Sequence, residues 1–296
     1  MPPEPRLGFG ASGPWAERWF SEEKAYAVLR AGVTAGIRIV DTGPSYAGGH
    51  AETRLGRLLQ RLAEDGLPAP RVSSKVGTQI GEDRRLIKEF GADAIERQLD
   101  ASLSALGRPN LDVLYLHGPD EHQLASALPT LTKQKELGRI KAVGVCCDGD
   151  HVTRAVRAPG VDWIMAPFNV LDQGNLTGLK AARAAGVNVC VVAPLAQALW
   201  RRGVLLPRSL PGAWYAARAL LRNRDALRAA RRAAWLRGVA GWTPAELALA
   251  FVREAAAPDL VLTTTTNPSH IRQSAGAMER AVPPALAARL QGLIVS

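Results

Sequence analysis

Eight times along this chain a short, continuously apolar run gives way to a stretch with helical spacing. The runs fall at residues 7–10, 37–41, 71–75, 111–116, 140–145, 163–166, 187–192 and 260–262. Strands that are apolar throughout are buried on both faces, as in a parallel sheet covered by helices. Eight strand–helix units in 296 residues fit a closed (β/α)8 TIM barrel of the α/β class better than an open sheet. No linker or composition break marks a second domain, so one domain is expected over 1–296.

The helix ends are partly legible. Ser21 before Glu22 and Glu23 reads as a cap with acids at the positive end, and Gly36 as a stop. Asp93 with Glu96 reads as a capping box opening a helix to Leu106, and Thr243-Pro244-Ala245-Glu246 as another. Asn267-Pro268 reads as the start of a last helix.

Apolar residues make up 47% and charged residues 22% of the chain, enough for a sizeable core in an ordinary globular protein. No run approaches the roughly 18 apolar residues of a membrane helix. The opening M-P-P-E-P-R lacks the pattern of a signal peptide. Three cysteines, Cys146, Cys147 and Cys190, make no disulfide framework. A reduced, cytoplasmic protein is expected, without a metal site.

In such a barrel the chemistry sits where strands end. Asp41 follows the second run, Lys75 the third and His117 the fourth, while Tyr46 lies on the loop after Asp41. Each is expected over the barrel mouth. A tyrosine with a pKa near 10 is a poor acid at neutral pH, and a neighbouring lysine cation lowers that value. The aspartate would hold the lysine charged, and the histidine would act at the same oxygen. The chemistry that suits the set is proton transfer to a carbonyl oxygen. The alternative is a buried Asp41–Lys75 ion pair with Tyr46 and His117 as satisfied core polars.

The chain resembles the aldo-keto reductases along nearly its whole length. The resemblance rests on D-T-G-P-S-Y at 41–46, A-E-T-R-L-G at 51–56, S-S-K-V-G at 73–77, L-D-V-L-Y-L-H at 111–117 and L-G-R-I-K-A-V-G-V at 137–145. It implies a barrel that uses NADP(H), less often NAD(H), to interconvert small-molecule carbonyls and alcohols. It implies Tyr46 as general acid, Lys75 and Asp41 as the pair that tunes it, and His117 as the group orienting the carbonyl. It implies hydride from the nicotinamide, so that the protein's task is orientation and polarisation.

The chain departs from that pattern on the nicotinamide side. Where the family usually has G-V-S-N, this sequence has G-V-C-C, placing Cys146 and Cys147 against the carboxamide. Met165 falls where a glutamine is common, and Val192 where an aromatic often stacks, with Pro194 and Leu195 following in the same loop. Thiols and thioethers are weak hydrogen-bond partners, and each lost amide contact costs about 1 kcal/mol. An altered nicotinamide site leaves open a binding or regulatory barrel, or nucleotide-free proton-transfer chemistry. The adjacent cysteines read as buried thiols rather than a redox pair.

The C-terminal stretch T-T-T-T-N-P-S-H-I-R-Q-S at 263–274 is similar to the family's adenosine-phosphate loop. Thr264, Thr265, Thr266 and Asn267 would line it, with hydroxyls and N–H groups at a helix start. His270 stands where an arginine is frequent, with Arg272 close by. Gln273 and Ser274 fall where an adenine-binding Glu-Asn pair is usual. NADP is favoured over NAD.

The net charge is +10, and most of it is local. Residues 198–240 hold ten arginines and one acid, Asp225, a sum of 10 − 1 = +9. The charge therefore belongs to an insert at 198–242 that lengthens the loop after the seventh strand. From Trp214 the insert reads as a helix, with Leu220, Leu221, Leu227 and Ala230 on one face. It is either a solvated helix on the rim or a cover whose arginines, such as Arg201 and Arg202, reach a pyrophosphate or an acidic substrate. A membrane-surface role through Trp214 and Trp235 is the less favoured reading. Nucleic-acid binding is not expected, since no recognisable module accompanies the charge.

Overall fold

The computed structural model describes residues 6–83, 85–195, 210, 212–214, 217 and 233–292. Ten strands stand among them: β1 (Arg6–Gly10), β2 (Ile39–Asp41), β3 (Arg71–Val76), β4 (Thr78–Ile80), β5 (Leu86–Lys88), β6 (Val113–His117), β7 (Val143–Cys146), β8 (Trp163–Pro167), β9 (Asn188–Val192) and β10 (Leu260–Thr263). Eight of them close a barrel in the order β1-β10-β9-β8-β7-β6-β3-β2, with every pairing parallel. The expected (β/α)8 barrel is what this chain forms, as a single domain. β4 and β5 form a separate antiparallel hairpin, which the apolar runs do not announce.

Side chains alternate along each strand, so one set fills the lumen and the other meets the helices. Ile39, Tyr115, Met165, Cys190, Leu260 and Leu262 pack together inside the barrel. Tyr115 is wholly buried there, and only a glycine opposite admits it: a Cβ on Gly144 would lie 2.2 Å from its ring. The outer set, including Val40, Val72, Leu114, Leu116, Val145, Ile164 and Val191, is buried beneath the helices. Each such aliphatic side chain contributes roughly 1.5–3 kcal/mol by leaving water.

Local chemistry explains where the elements differ from the sequence reading. β2 starts at Ile39 because Ile37 donates its amide to Gly32 of the preceding helix, Glu22–Thr34. Arg38 also turns back, to the carbonyls of Val33 and Ile37. The fourth run enters the sheet at Val113; Leu111 makes an isolated bridge to Ile140. The helix Ala92–Leu106 has Gly91 as its cap and no side-chain cap, which corrects the capping box read at Asp93. Asp93 sits in its first turn, and Glu96 instead meets Lys133 and Gln134 of the neighbouring helix. The box at Thr243 and Glu246 does form, and so does the Ser21 cap.

Most of the insert read at 198–242, including Arg201, Arg202, Leu220, Leu221, Leu227 and Ala230, lies outside the described residues. Its end, Ala233–Gly238, is a short 3-10 helix that buries Leu236 in the outer core. The half-buried Trp235 ring packs on that core and carries the Arg289 guanidinium at 3.9 Å. Among the described residues no helix is long and apolar enough to cross a membrane.

Candidate active site

The ends of β2, β3 and β6 bring Asp41, Lys75, Tyr46 and His117 together at one mouth of the barrel. Period-2 alternation puts Asp41, Ser73 and Lys75 on the inward face, where β2 and β3 pair Asp41 with Ser73. Lys75 is 1% exposed, and its Nζ donates to Asp41 Oδ2 at 2.6 Å and to the Thr42 carbonyl at 2.7 Å. The other carboxylate oxygen, Asp41 Oδ1, accepts from the Ser73 hydroxyl at 2.8 Å. Burying an ion pair is tolerable because the remaining lone pairs are filled in this way. Ser73 went unnoticed in the sequence, although the S-S-K alternation places it beside Lys75.

Tyr46 reaches this pair from a strained turn. Ala47 has φ 51° and ψ 41°, a left-handed conformation that costs a non-glycine residue about 1–2 kcal/mol. Gly48 and Gly49 continue with φ of 64° and 87°. Such strain marks places where the fold over-determines the backbone, often beside functional groups. The Lys75 ammonium lies 4.9 Å from the Tyr46 ring centroid. The His117 ring stands edge-on to the phenol, with centroids 6.2 Å apart and an interplanar angle of 87°.

The electrostatics correct one sequence-based expectation. Burial pushes the Tyr46 phenol up to about 12, and the Lys75 cation only partly offsets that rise. Asp41 and Cys146 push it further up. The net shift is upward, so the phenol holds its proton throughout the neutral range. Burial alone would lower Lys75, but the Asp41 carboxylate outweighs it and holds the ammonium well above its usual value. His117 is lowered to about 4 by burial, then by the Lys75 and Lys88 cations, so its imidazole is neutral at pH 7. Its Nδ1 is buried without a hydrogen-bond partner. The mouth thus presents a protonated phenol and a neutral imidazole above a fixed cation.

The opposite wall is sulfur-lined. Across the sheet His117 registers with Cys146, Cys146 with Met165, and Met165 with Cys190, so all four face inward. Cys146 is pushed up to about 11 by burial and Cys147 to about 12 by the same cause, so both are thiols at neutral pH. Alternation sends Cys146 to the lumen and Cys147 into the outer core. Two thiols on opposite faces of a strand do not form a redox pair. Val192 borders the lumen cluster, Pro194 is buried and Leu195 packs on the outer core. Between Val192 and Pro194, Ala193 is also left-handed, at φ 54°, and its carbonyl accepts from Asn169 Nδ2 at 3.2 Å.

The C-terminal loop lies across the mouth beside β1. Thr264 donates its hydroxyl to the Gly10 carbonyl at 2.9 Å and lies 3.2 Å from the Ser12 hydroxyl. A Cβ on Gly10 would come within 2.7 Å of Thr264 Oγ1, so glycine leaves this approach open. Thr265 Oγ1 accepts from the Asn267 amide, and Asn267 caps the helix Pro268–Glu279. Thr266 is half-buried, and His270, Arg272 and Gln273 are exposed on that helix. Ser274, only 7% exposed, faces the core. A cavity of about 620 Å³ borders this loop, lined by Trp19, Phe20, Lys24, Leu210, Thr266 and Pro268 among others. It adjoins the loop and not the Tyr46–His117 cluster.

The barrel, with Asp41, Lys75, Tyr46 and His117 gathered at one mouth, defines a class of protein, and comparison with known proteins names it. The model of the aldo/keto reductase family matches residues 6–294, and the chain belongs to that family, whose members are oxidoreductases acting on carbonyl and alcohol groups. It is 34% identical over 216 residues to a D-threo-aldose 1-dehydrogenase from a Pseudomonas species, covering 64% of this chain and 65% of that enzyme. It is 26% identical over 263 residues to an NADH-specific methylglyoxal reductase from Escherichia coli, covering 82% of this chain and 79% of that one. The structure of an aldo-keto reductase from Klebsiella pneumoniae in complex with NADPH superposes with a TM-score of 0.71 at 22% identity, covering 97% of this chain and 90% of that one. That likeness supports the shared fold.

Proposed function

We propose that this chain is a nicotinamide-dependent oxidoreductase that interconverts a small-molecule carbonyl and its alcohol, with Tyr46 as the proton donor. The observation that carries the reading is the shared mouth: the Tyr46 phenol and His117 imidazole face one another above the Asp41-anchored Lys75. A half-buried, protonated phenol is a loaded acid. As it gives its proton to a carbonyl oxygen, the Lys75 cation stabilises the phenolate left behind. The neutral His117 donates to the same oxygen and fixes the carbonyl's direction. Asp41 and Ser73 hold Lys75 in place and do not touch the substrate.

The nicotinamide, when bound, supplies or accepts the hydride. Thr264, Thr265, Thr266 and Asn267 would line the phosphate end of such a cofactor at a helix start, with the loop shaped by the Thr264 bond to Gly10 and the Asn267 bond to Thr265. His270, Arg272 and Gln273 stand on the exposed side of that helix, and we favour NADP(H) over NAD(H) on the Arg272 cation. The Klebsiella pneumoniae structure holds NADPH, in line with this, while the Escherichia coli relative is NADH-specific, which makes NAD(H) the alternative. Cys146, Met165 and Val192, with Pro194 and Leu195 beyond, would face the nicotinamide side.

That sulfur-lined wall also supports a second reading, a barrel that binds no nicotinamide and acts as a binding protein or in nucleotide-free proton transfer. Titrating the purified protein with NADPH and NADH, followed by nucleotide fluorescence, separates the two. Micromolar binding of NADPH with weaker NADH is the expected result. No binding of either nucleotide would overturn the oxidoreductase reading.

A further inference from the structure

The hairpin that stands outside the barrel converges on His117. Thr78 and Lys88 are direct cross-strand partners in β4 and β5. They grip two consecutive carbonyls at the end of β6. The Thr78 hydroxyl donates to the His117 carbonyl at 2.7 Å, and Lys88 Nζ donates to the Gly118 carbonyl at 2.7 Å. Gly118, at φ 67°, makes the left-handed turn immediately after His117.

The root of the hairpin is braced. The Gly77 amide donates to Gln98 Oε1 at 2.6 Å, and the Glu89 amide donates to the Gly77 carbonyl at 2.8 Å. The Phe90 ring fills the space where a Cβ on Gly77 would sit, 2.1 Å away. Gln79 and Glu89 join side chains across the hairpin at 2.6 Å. Neither strand pairs with the barrel, and Leu86 and Ile87 are 61% and 37% exposed, so burying apolar area does not explain the hairpin. Two of its side chains, Thr78 and Lys88, are spent on the turn that carries His117.

We propose that the β4–β5 hairpin is a clamp that sets the position of His117 over the barrel mouth, with Thr78 and Lys88 as its positioning residues. The proposal takes from the functional reading that His117 orients the carbonyl. By fixing both carbonyls around the exit turn, the clamp fixes where the imidazole meets substrate. Lys88 acts a second time through its charge. The groups that face His117 are Tyr46 from the loop after β2, Lys75 from β3, Lys88 from β5 and Cys146 from β7. Of these, the two lysine cations disfavour the imidazolium, and Lys88 is the one that the hairpin supplies.

The test is an NMR titration of the intact protein's histidines, with His117→Gln assigning one resonance among five. Lys88→Met is expected to move the His117 midpoint upward by about half a pH unit, and Lys88→Arg to restore it. Thr78→Val removes the grip without removing charge. It is expected to leave the midpoint near its original place while changing the His117 chemical shift. In turnover, both Lys88→Met and Thr78→Val are expected to raise KM for the carbonyl substrate on the order of tenfold, with the nucleotide Kd unchanged. Lys88 is a surface side chain, so the Met and Arg pair keeps the test interpretable if Thr78→Val fails to fold. An unmoved His117 midpoint in folded Lys88→Met overturns the charge role of Lys88, and an unchanged His117 chemical shift in folded Lys88→Met and Thr78→Val, or an unchanged KM in an active enzyme, overturns the clamp. If no nucleotide-dependent turnover exists at all, the titration still decides the clamp, while the functional reading alone falls.

Discussion

The two walls of the barrel mouth are built on different principles. On β2 and β3 the charged groups are fixed: Asp41 uses both oxygens, Lys75 is held between Asp41 and the Thr42 carbonyl, and Tyr46 reaches them from a turn with a left-handed alanine, while His117 on β6 stands edge-on to the phenol. On β7, β8 and β9 the facing wall carries Cys146, Met165 and Cys190, with Val192 at its border, and these side chains pack together. The difference separates two tasks. Proton transfer needs charges preorganised at fixed places, and a satisfied buried network supplies that rigidity. On the proposed reading, the wall of sulfur and aliphatic groups would offer the cofactor a shape and leave its polar recognition to the backbone and the C-terminal loop.

That contrast can be broken most forcibly at Lys75. Lys75→Met leaves Asp41 buried without its partner and is expected to cost about 3–5 kcal/mol, read from denaturant unfolding, together with turnover. Adding Asp41→Asn should recover much of the loss, because the two positions are coupled. A cost under about 1 kcal/mol for the single variant would mean that the charged wall is not the preorganised one. A smaller effect sharpens the other wall. Cys146→Ser puts a stronger hydrogen-bonding group where the chain has a thiol, and it should tighten nucleotide binding about fivefold, a gain of about 1 kcal/mol. An unchanged Kd would assign no polar role to that position. The smallest effect is expected at Ala47. Ala47→Gly relieves the left-handed strain but adds chain entropy to the unfolded state, a net stabilisation of about 0.5 kcal/mol in thermal unfolding.

Much of this was legible in the sequence. The continuous apolar runs reported the eight barrel strands, because a strand covered on both faces has no polar side. The positions Asp41, Lys75 and His117 were legible because each directly ends such a run. The hairpin was not. Its strands, T-Q-I and L-I-K, are three residues each and exposed along β5, so neither length nor period distinguishes them from loop. The role of Gly91 as a cap was masked by Asp93, whose chemistry suits a cap but whose place is one turn inside the helix. The direction of the Tyr46 shift was masked too. Sequence placed a cation beside the phenol, but the amount of burial that outweighs it is a property of the closed barrel. The opposed faces of Cys146 and Cys147 were available from strand alternation alone.

The most direct test of the account is Tyr46→Phe, measured as nucleotide Kd and as turnover on the same preparation. The phenyl ring keeps the packing beside Lys75 and His117 and removes the hydroxyl that carries the proton. The account predicts an unchanged Kd with turnover lower by roughly 10²–10⁴-fold. Turnover at the unsubstituted level, with nucleotide bound, would contradict it.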